Sequence, residues 1–173
     1  MIKPLIAGLA GALMMVGGAT LASGNHAAAH EDHKYPEARA YTVSDNAVAD
    51  VDDAMARAAE TNKRALVVMG ANWCHDSRAL AGWLGTPRFA SLIEREYELV
   101  FVNVGMPQSG DGHNLEVAQR FGINELPGTP NLLVVPPQGV LVNPETATTW
   151  RNAASRSEDA IYEELERLAK QPV

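Results

Sequence analysis

The chain has 173 residues, 46% of them hydrophobic, which is enough apolar mass for one buried core and not two. With 14 Lys and Arg against 21 Asp and Glu, the formal net charge of −7 excludes the basic surface that nucleic-acid recognition needs. A single cysteine excludes an intrachain disulfide, so the thiol is either buried and inert or free to react.

Lys3 precedes an apolar run from Pro4 to Val16, and small residues continue to Ala22. A positive start, an apolar centre and a small-residue exit predict a signal peptide over residues 1–22, with Ser23 or His30 as the first mature residue. The expected location is the periplasm or outside the cell. Glycines dilute the run too much for a lasting anchor, so no stable membrane insertion is expected after cleavage. Residues 23–43 read as a flexible, His-containing linker. His26, His30 and His33 share a face at helical spacing and suit Cu, Zn or Ni, but nothing local fixes the backbone, and a solvated tract is the plainer reading.

The folded domain is expected over residues 44–173. Val48, Val51, Met55 and Ala58 mark an amphipathic helix behind a Ser/Asp/Asn-rich start; Asp50, Asp52 and Asp53 suit its dipole and read as solvated surface. Ala65 to Met69 is a continuous apolar run, the pattern of a strand covered on both faces. Gly70-Ala71-Asn72 breaks it, and Ala79, Leu80, Trp83 and Leu84 then fall on one helix face. Cys74 opens that helix, where unpaired N–H groups and the macrodipole favour a negative charge. Arg78, one turn on, favours the thiolate too; His75 does so only when protonated, and Asp76, read as a solvated carboxylate, opposes it.

Gly85 stops the helix, and Thr86-Pro87 restarts one with the Thr86 hydroxyl as cap and Phe89, Leu92, Ile93 and Tyr97 inward. Glu98 to Val104 is the next strand, parallel to the first by the βαβ order. A Gly- and Pro-rich loop spans 105–112, and Leu115, Ala118 and Phe121 mark a short helix. Gly128-Thr129-Pro130 leads into the strand Leu132–Val135. Pro136 to Gly139 then turns into an antiparallel partner at Val140–Val142. Ser155-x-x-Glu158 is expected to cap a last helix with Ile161, Leu165 and Leu168 inward. The stretch around Trp150 takes no assignment, Trp83 reads as core, and His113 reads as part of a loop.

Trp73-Cys74-His75-Asp76-Ser77-Arg78, opening a helix behind a buried strand, resembles the active-site segment of the thioredoxin-like superfamily. Gly128-Thr129-Pro130 ahead of an apolar strand resembles that family's loop ending in a cis-proline, and threonine before the proline is similar to periplasmic disulfide isomerases. The resemblance implies an α/β fold, a three-layer sandwich with a central mixed β-sheet flanked by helices. It implies an exported member whose motif is C-x-x-S in place of C-x-x-C. It also implies roles: Cys74 as nucleophile, Ser77 and Arg78 tuning its charge, and Trp73, Thr129 and Pro130 at the substrate, with an extended client pairing along Thr129.

Two departures from the family pattern matter. Dithiol relatives carry a second cysteine that releases a captured substrate; Ser77 has a hydroxyl that can only hydrogen-bond. Thioredoxins carry a buried acid six positions before the nucleophile, where this chain has Val68. The implied function is monothiol thiol–disulfide exchange through Cys74: mixed-disulfide formation, isomerisation or deglutathionylation. It needs no cofactor and takes thiol- or disulfide-bearing protein clients or glutathione as partners. Two other classes stay open. One is a non-catalytic module that binds proteins in the fold's peptide groove; the other is a periplasmic metal carrier using His26, His30 and His33 with Cys74 and His75.

Overall fold

The computed structural model describes residues 35–173. The signal segment, its cleavage site and His26, His30 and His33 lie outside the described residues.

Helix α1 (Ala47–Thr61) starts where the Asn46 side chain accepts the Ala49 N–H at 3.0 Å, and ends at Asn62 in left-handed backbone. It leads into β1 (Arg64–Gly70), buried at every residue after Arg64. Helices α2 (His75–Leu84) and α3 (Pro87–Glu96) carry the chain across to β2 (Tyr97–Asn103), which runs parallel to β1 with Val68 opposite Phe101. A parallel pair needs such a crossover because no tight turn can join its ends. The predicted loop over 105–112 contains a two-residue antiparallel pair, β3 (Gly105–Met106) and β4 (Asp111–Gly112), closed by a 3-10 turn. Helix α4 (Leu115–Arg120) precedes β5 (Asn131–Val135), which is antiparallel to β1, and α5 (Glu158–Lys170) ends the fold.

The sheet order is β2-β1-β5, with one parallel and one antiparallel junction. Side chains alternate across β1, so Leu66 and Val68 join a cluster with Leu80, Phe89, Leu92, Trp150, Ile161 and Leu165. Ala65, Val67 and Met69 join another with Val51, Ala58, Val117 and Phe121. Helices α2, α3 and α5 thus cover one face and α1 and α4 the other, the three layers the resemblance implies.

Val140–Val142 is not a strand. Only the Val142 N–H reaches the ladder, donating to Val134 O at 3.0 Å. Pro144 has no N–H to continue pairing, and the Asn143 side chain takes the place of a peptide unit: it accepts from Val134 N–H at 2.9 Å and donates to Leu132 O at 2.9 Å. The outer edge of β5 is thereby satisfied and closed to further strands. The last helix is capped by Ser157, whose hydroxyl accepts the Ala160 N–H, while Ser155 sits in the preceding 3-10 turn and donates to Asn152 O. The Thr86 hydroxyl likewise donates back to Trp83 O at 2.9 Å rather than capping α3.

The packed body begins ahead of Ser44, which corrects the linker expectation for the residues just before it. Residues 36–42 form a strap lying across α2. Tyr41 is 1% exposed, Ala38 N–H donates to Arg78 O at 3.0 Å, and the Asn72 amide both accepts from Tyr41 N–H and donates to Tyr41 O. The strap passes so close to α2 that a Cβ on Gly82 would stand 2.2 Å from Pro36 O. An extended segment held by side-chain amides has no apolar period to betray it in sequence.

Candidate active site

Two loops from distant parts of the chain meet at Cys74. The turn after β1 makes Cys74 the N-cap of α2, with φ −82° and ψ 124°; its N–H donates to Ala71 O and its carbonyl accepts the Arg78 N–H, both at 3.1 Å. The other loop, Pro127 to Pro130, enters β5 through a cis Thr129–Pro130 bond. The Cys74 S–H donates to the Thr129 carbonyl at 3.4 Å, and Cys74 is 7% exposed. A helix N-terminus and the proline loop therefore share one sulfur.

Three successive carbonyls of that loop each meet a side-chain donor. Arg151 Nη1 reaches Pro127 O at 3.3 Å, Asn131 Nδ2 reaches Gly128 O at 2.8 Å, and Cys74 Sγ reaches Thr129 O. Thr129 Oγ1 and Asn131 Oδ1 are buried without a hydrogen-bond partner. An orphan of this kind costs ~1–3 kcal/mol; one stands in the loop that faces the thiol and the other at the first residue of β5.

Ser77 is fully buried, and its hydroxyl is met by the Ala71 N–H at 3.4 Å. Its carbonyl accepts from the Tyr41 hydroxyl at 3.2 Å. Among the described residues no hydrogen bond joins Ser77 to the sulfur, so the side chain expected to tune the thiolate is spent on fastening α2 to the turn before it. Arg78 does fold back, but its charge is shared. Nε and Nη2 hold the two oxygens of Glu37 at 3.0 and 3.3 Å, and Nη1 donates to the carbonyls of Asn72 and Trp73 at 3.2 and 3.1 Å. The hydrogen bond to Glu37 is the main reason the guanidinium titrates above its ordinary range, against a smaller lowering by desolvation. Asp76 is not the solvated carboxylate the sequence suggests. It is 7% exposed, accepts the Ala154 N–H at 2.8 Å, and lies 3.2 Å from His75 Nε2.

Trp73 stands at the rim, 50% exposed, with Nε1 donating to Gly105 O at 3.0 Å. Trp83 packs partly buried against the core. The His113 N–H donates to Val104 O, and among the described residues no group of three or more His, Cys, Asp or Glu could hold a metal ion.

Sequence reasoning missed Tyr41, Asn72, Asn131 and Arg151. Tyr41 lies under the turn, so close to Gly70 that a Cβ there would stand 2.6 Å from its ring. Burial, then the charge of Cys74, pushes its phenol well above the ordinary tyrosine range, with Ser77 opposing. An aromatic at the end of a polar stretch was its only signal.

The arrangement supplies a thiol at a helix N-terminus, a loop carbonyl against it, and no second thiol. The thioredoxin-like family pattern matches residues 46–137. Among solved structures, the crystal structure of a disulphide isomerase from Xylella fastidiosa Temecula1 is similar, with 32% identity and a TM-score of 0.67, over 75% of this chain and 96% of that one. No curated protein matches. The sheet order, the proline loop facing Cys74 and these two matches lead to one conclusion: the chain belongs to the thioredoxin-like family.

Proposed function

We propose that this is an exported thiol–disulfide exchange protein of the monothiol type, with Cys74 as nucleophile. The observation that carries the reading is the Cys74 sulfur at the α2 N-terminus, 3.4 Å from the Thr129 carbonyl beside cis Pro130, with serine three residues on. The Cys74 thiolate attacks one sulfur of a disulfide; a new S–S bond forms as the old one breaks, and the departing thiolate takes up a proton. Once the S–H is gone, Thr129 O is free to accept an N–H from an extended client, and exposed Trp73 flanks it. Ser77 cannot displace the captured partner, so release needs a thiol from outside, either glutathione or a protein client. The similar disulphide isomerase supports the chemistry, and Lys3 with the apolar run to Val16 supports export to the periplasm or beyond.

Incubation with a glutathione mixed disulfide, followed by mass spectrometry, tests this. The native protein is expected to form one adduct that persists until external thiol is added. Cys74→Ser should form none, and Ser77→Cys should release its adduct unaided. A native protein that forms no adduct at any pH, and whose thiol alkylates only after unfolding, would overturn the reading. The second reading, a binding module that uses the same groove without chemistry, draws on the 7% exposure of Cys74 and would then stand. The histidines of the metal-carrier alternative, His26, His30 and His33, lie outside the described residues.

A further inference from the structure

We propose that Arg151 recognises a carboxylate on the substrate of Cys74, so that preferred disulfides carry a carboxylate close to the reacting sulfur. The inference rests on the thiol–disulfide reading and names the substrate class it takes.

Arg151 lies in the stretch that sequence alone could not place, and the fold lays it along the proline loop. Its Nη1 donates to Pro127 O at 3.3 Å, and a Cβ on Gly128 would stand 2.8 Å from Arg151 Cδ, so only glycine lets the side chain lie there. Thr129, the next residue, is the one whose carbonyl meets the sulfur. Consecutive Cα atoms are about 3.8 Å apart, which puts the Arg151 stem one residue step from the Cys74 contact.

The guanidinium is exposed and forms no ion pair among the described residues. The other basic side chains at the site are engaged, Arg78 by both oxygens of Glu37 and His75 by Asp76. Arginine has five N–H donors in a planar fork, and one loop hydrogen bond leaves the rest of the fork for a carboxylate. Because that bond already orders the side chain, less entropy is lost on binding. Two features oppose an anion: exposed Glu125, two residues before Pro127, and the net charge of −7. An arginine without an ion pair, lying along the loop that carries Thr129, is the local feature that opposes this repulsion.

Oxidised glutathione and an acidic residue next to a client cysteine both present this chemistry. In either case attack exchanges one S–S bond for another and releases one thiol, so no other oxidant enters. The test compares second-order rate constants for adduct formation with oxidised glutathione and with uncharged hydroxyethyl disulfide. In Arg151→Gln the ratio of the two should fall about three- to tenfold, the range for losing one partly exposed charge-assisted contact. Added salt should erode the ratio in the native protein and barely move it in the variant. A peptide disulfide with Asp beside its cysteine, compared with its Asn twin, distinguishes an acidic client from glutathione as the source; preference for either supports the proposal. A ratio unchanged by Arg151→Gln overturns it, even if both rates fall together through loss of the Pro127 contact. Binding of unreactive S-methylglutathione to Cys74→Ser protein, with and without Arg151→Gln, is a second measurement that needs no chemistry at Cys74. Equal affinity in the two overturns the proposal, whereas a missing adduct in native protein counts against the exchange function alone.

Discussion

On one face of the sheet, β1 and β5 present Leu66, Val68, Leu132 and Val134 to a layer containing Tyr41, Phe89, Tyr97 and Trp150. On the other, Ala65, Val67, Leu133 and Val135 meet Val51, Ala58 and Val117, with Phe121 as the one buried ring described on that face. The difference is polar as well as steric. On the aromatic face the Tyr41 hydroxyl donates to Ser77 O at 3.2 Å and the Tyr97 hydroxyl to Leu165 O at 2.6 Å, each gripping a helix by a carbonyl. The aliphatic face has only to close. The aromatic face must also hold α2 in one place, because the α2 N-terminus carries Cys74 to the loop at Thr129.

The sharpest way to separate the two faces is to empty a site on each. Trp150 is 0% exposed and lies at the centre of the aromatic layer, so Trp150→Ala should cost about 3–5 kcal/mol of stability in a denaturant titration. Val117→Ala on the aliphatic face removes far less buried surface and should cost about 2 kcal/mol. Equal losses would show that the two faces contribute alike to stability. Next in size is Gly82→Ala. Its Cβ would stand 2.2 Å from Pro36 O, so either the strap lifts or α2 moves, at about 1–3 kcal/mol, with faster protease cutting within residues 36–42 as the readout.

Tyr41→Phe keeps the ring and removes the hydroxyl, at about 1 kcal/mol. It should also flatten the alkaline limb of stability. The folded phenol titrates above its ordinary value near 10, so its contribution is complete below that value and is lost as pH rises through the higher, folded one. The smallest effect belongs to the opposite limb and the α1 side of the sheet. Lys63 is the main reason Glu98 is held below its ordinary value near 4.5, so its contribution is present above that value and lost as pH falls through the lowered one. Glu98→Gln should shallow the acid limb slightly, since the pair is close to solvent. An acid limb unchanged by this substitution would assign it to other carboxylates.

How much could be read from the chain differs by segment, and the reason is range. Ala65 to Met69 declares a strand because burial on both faces demands an unbroken apolar run. Cys74 declares a helix N-terminus because the turn before it and the apolar spacing after it are both local. Asn143 could not announce that its amide would stand in for a strand, since its partners Val134 and Leu132 are nine and eleven residues away. Trp150 sits among threonines with no apolar period, yet its neighbours in the core come from α2, α5 and β5. The cap of α5 went to Ser157 and not Ser155 because residues 153–155 had already wound into a 3-10 turn, whose Ala154 N–H is held by Asp76.

Local order, and the position of the one cysteine at a helix start, were settled by residue type and spacing, since helix starts and buried strands depend on near neighbours. The environment of its sulfur was settled by folding. Ser77 turned inward, Glu37 took up much of Arg78, Tyr41 slid beneath the turn, and Arg151 came to lie along the proline loop. Each of the pairs made by Glu37, Tyr41 and Arg151 spans 24 to 41 positions of chain, and only the packing of distant segments around the sheet brings them within hydrogen-bond reach.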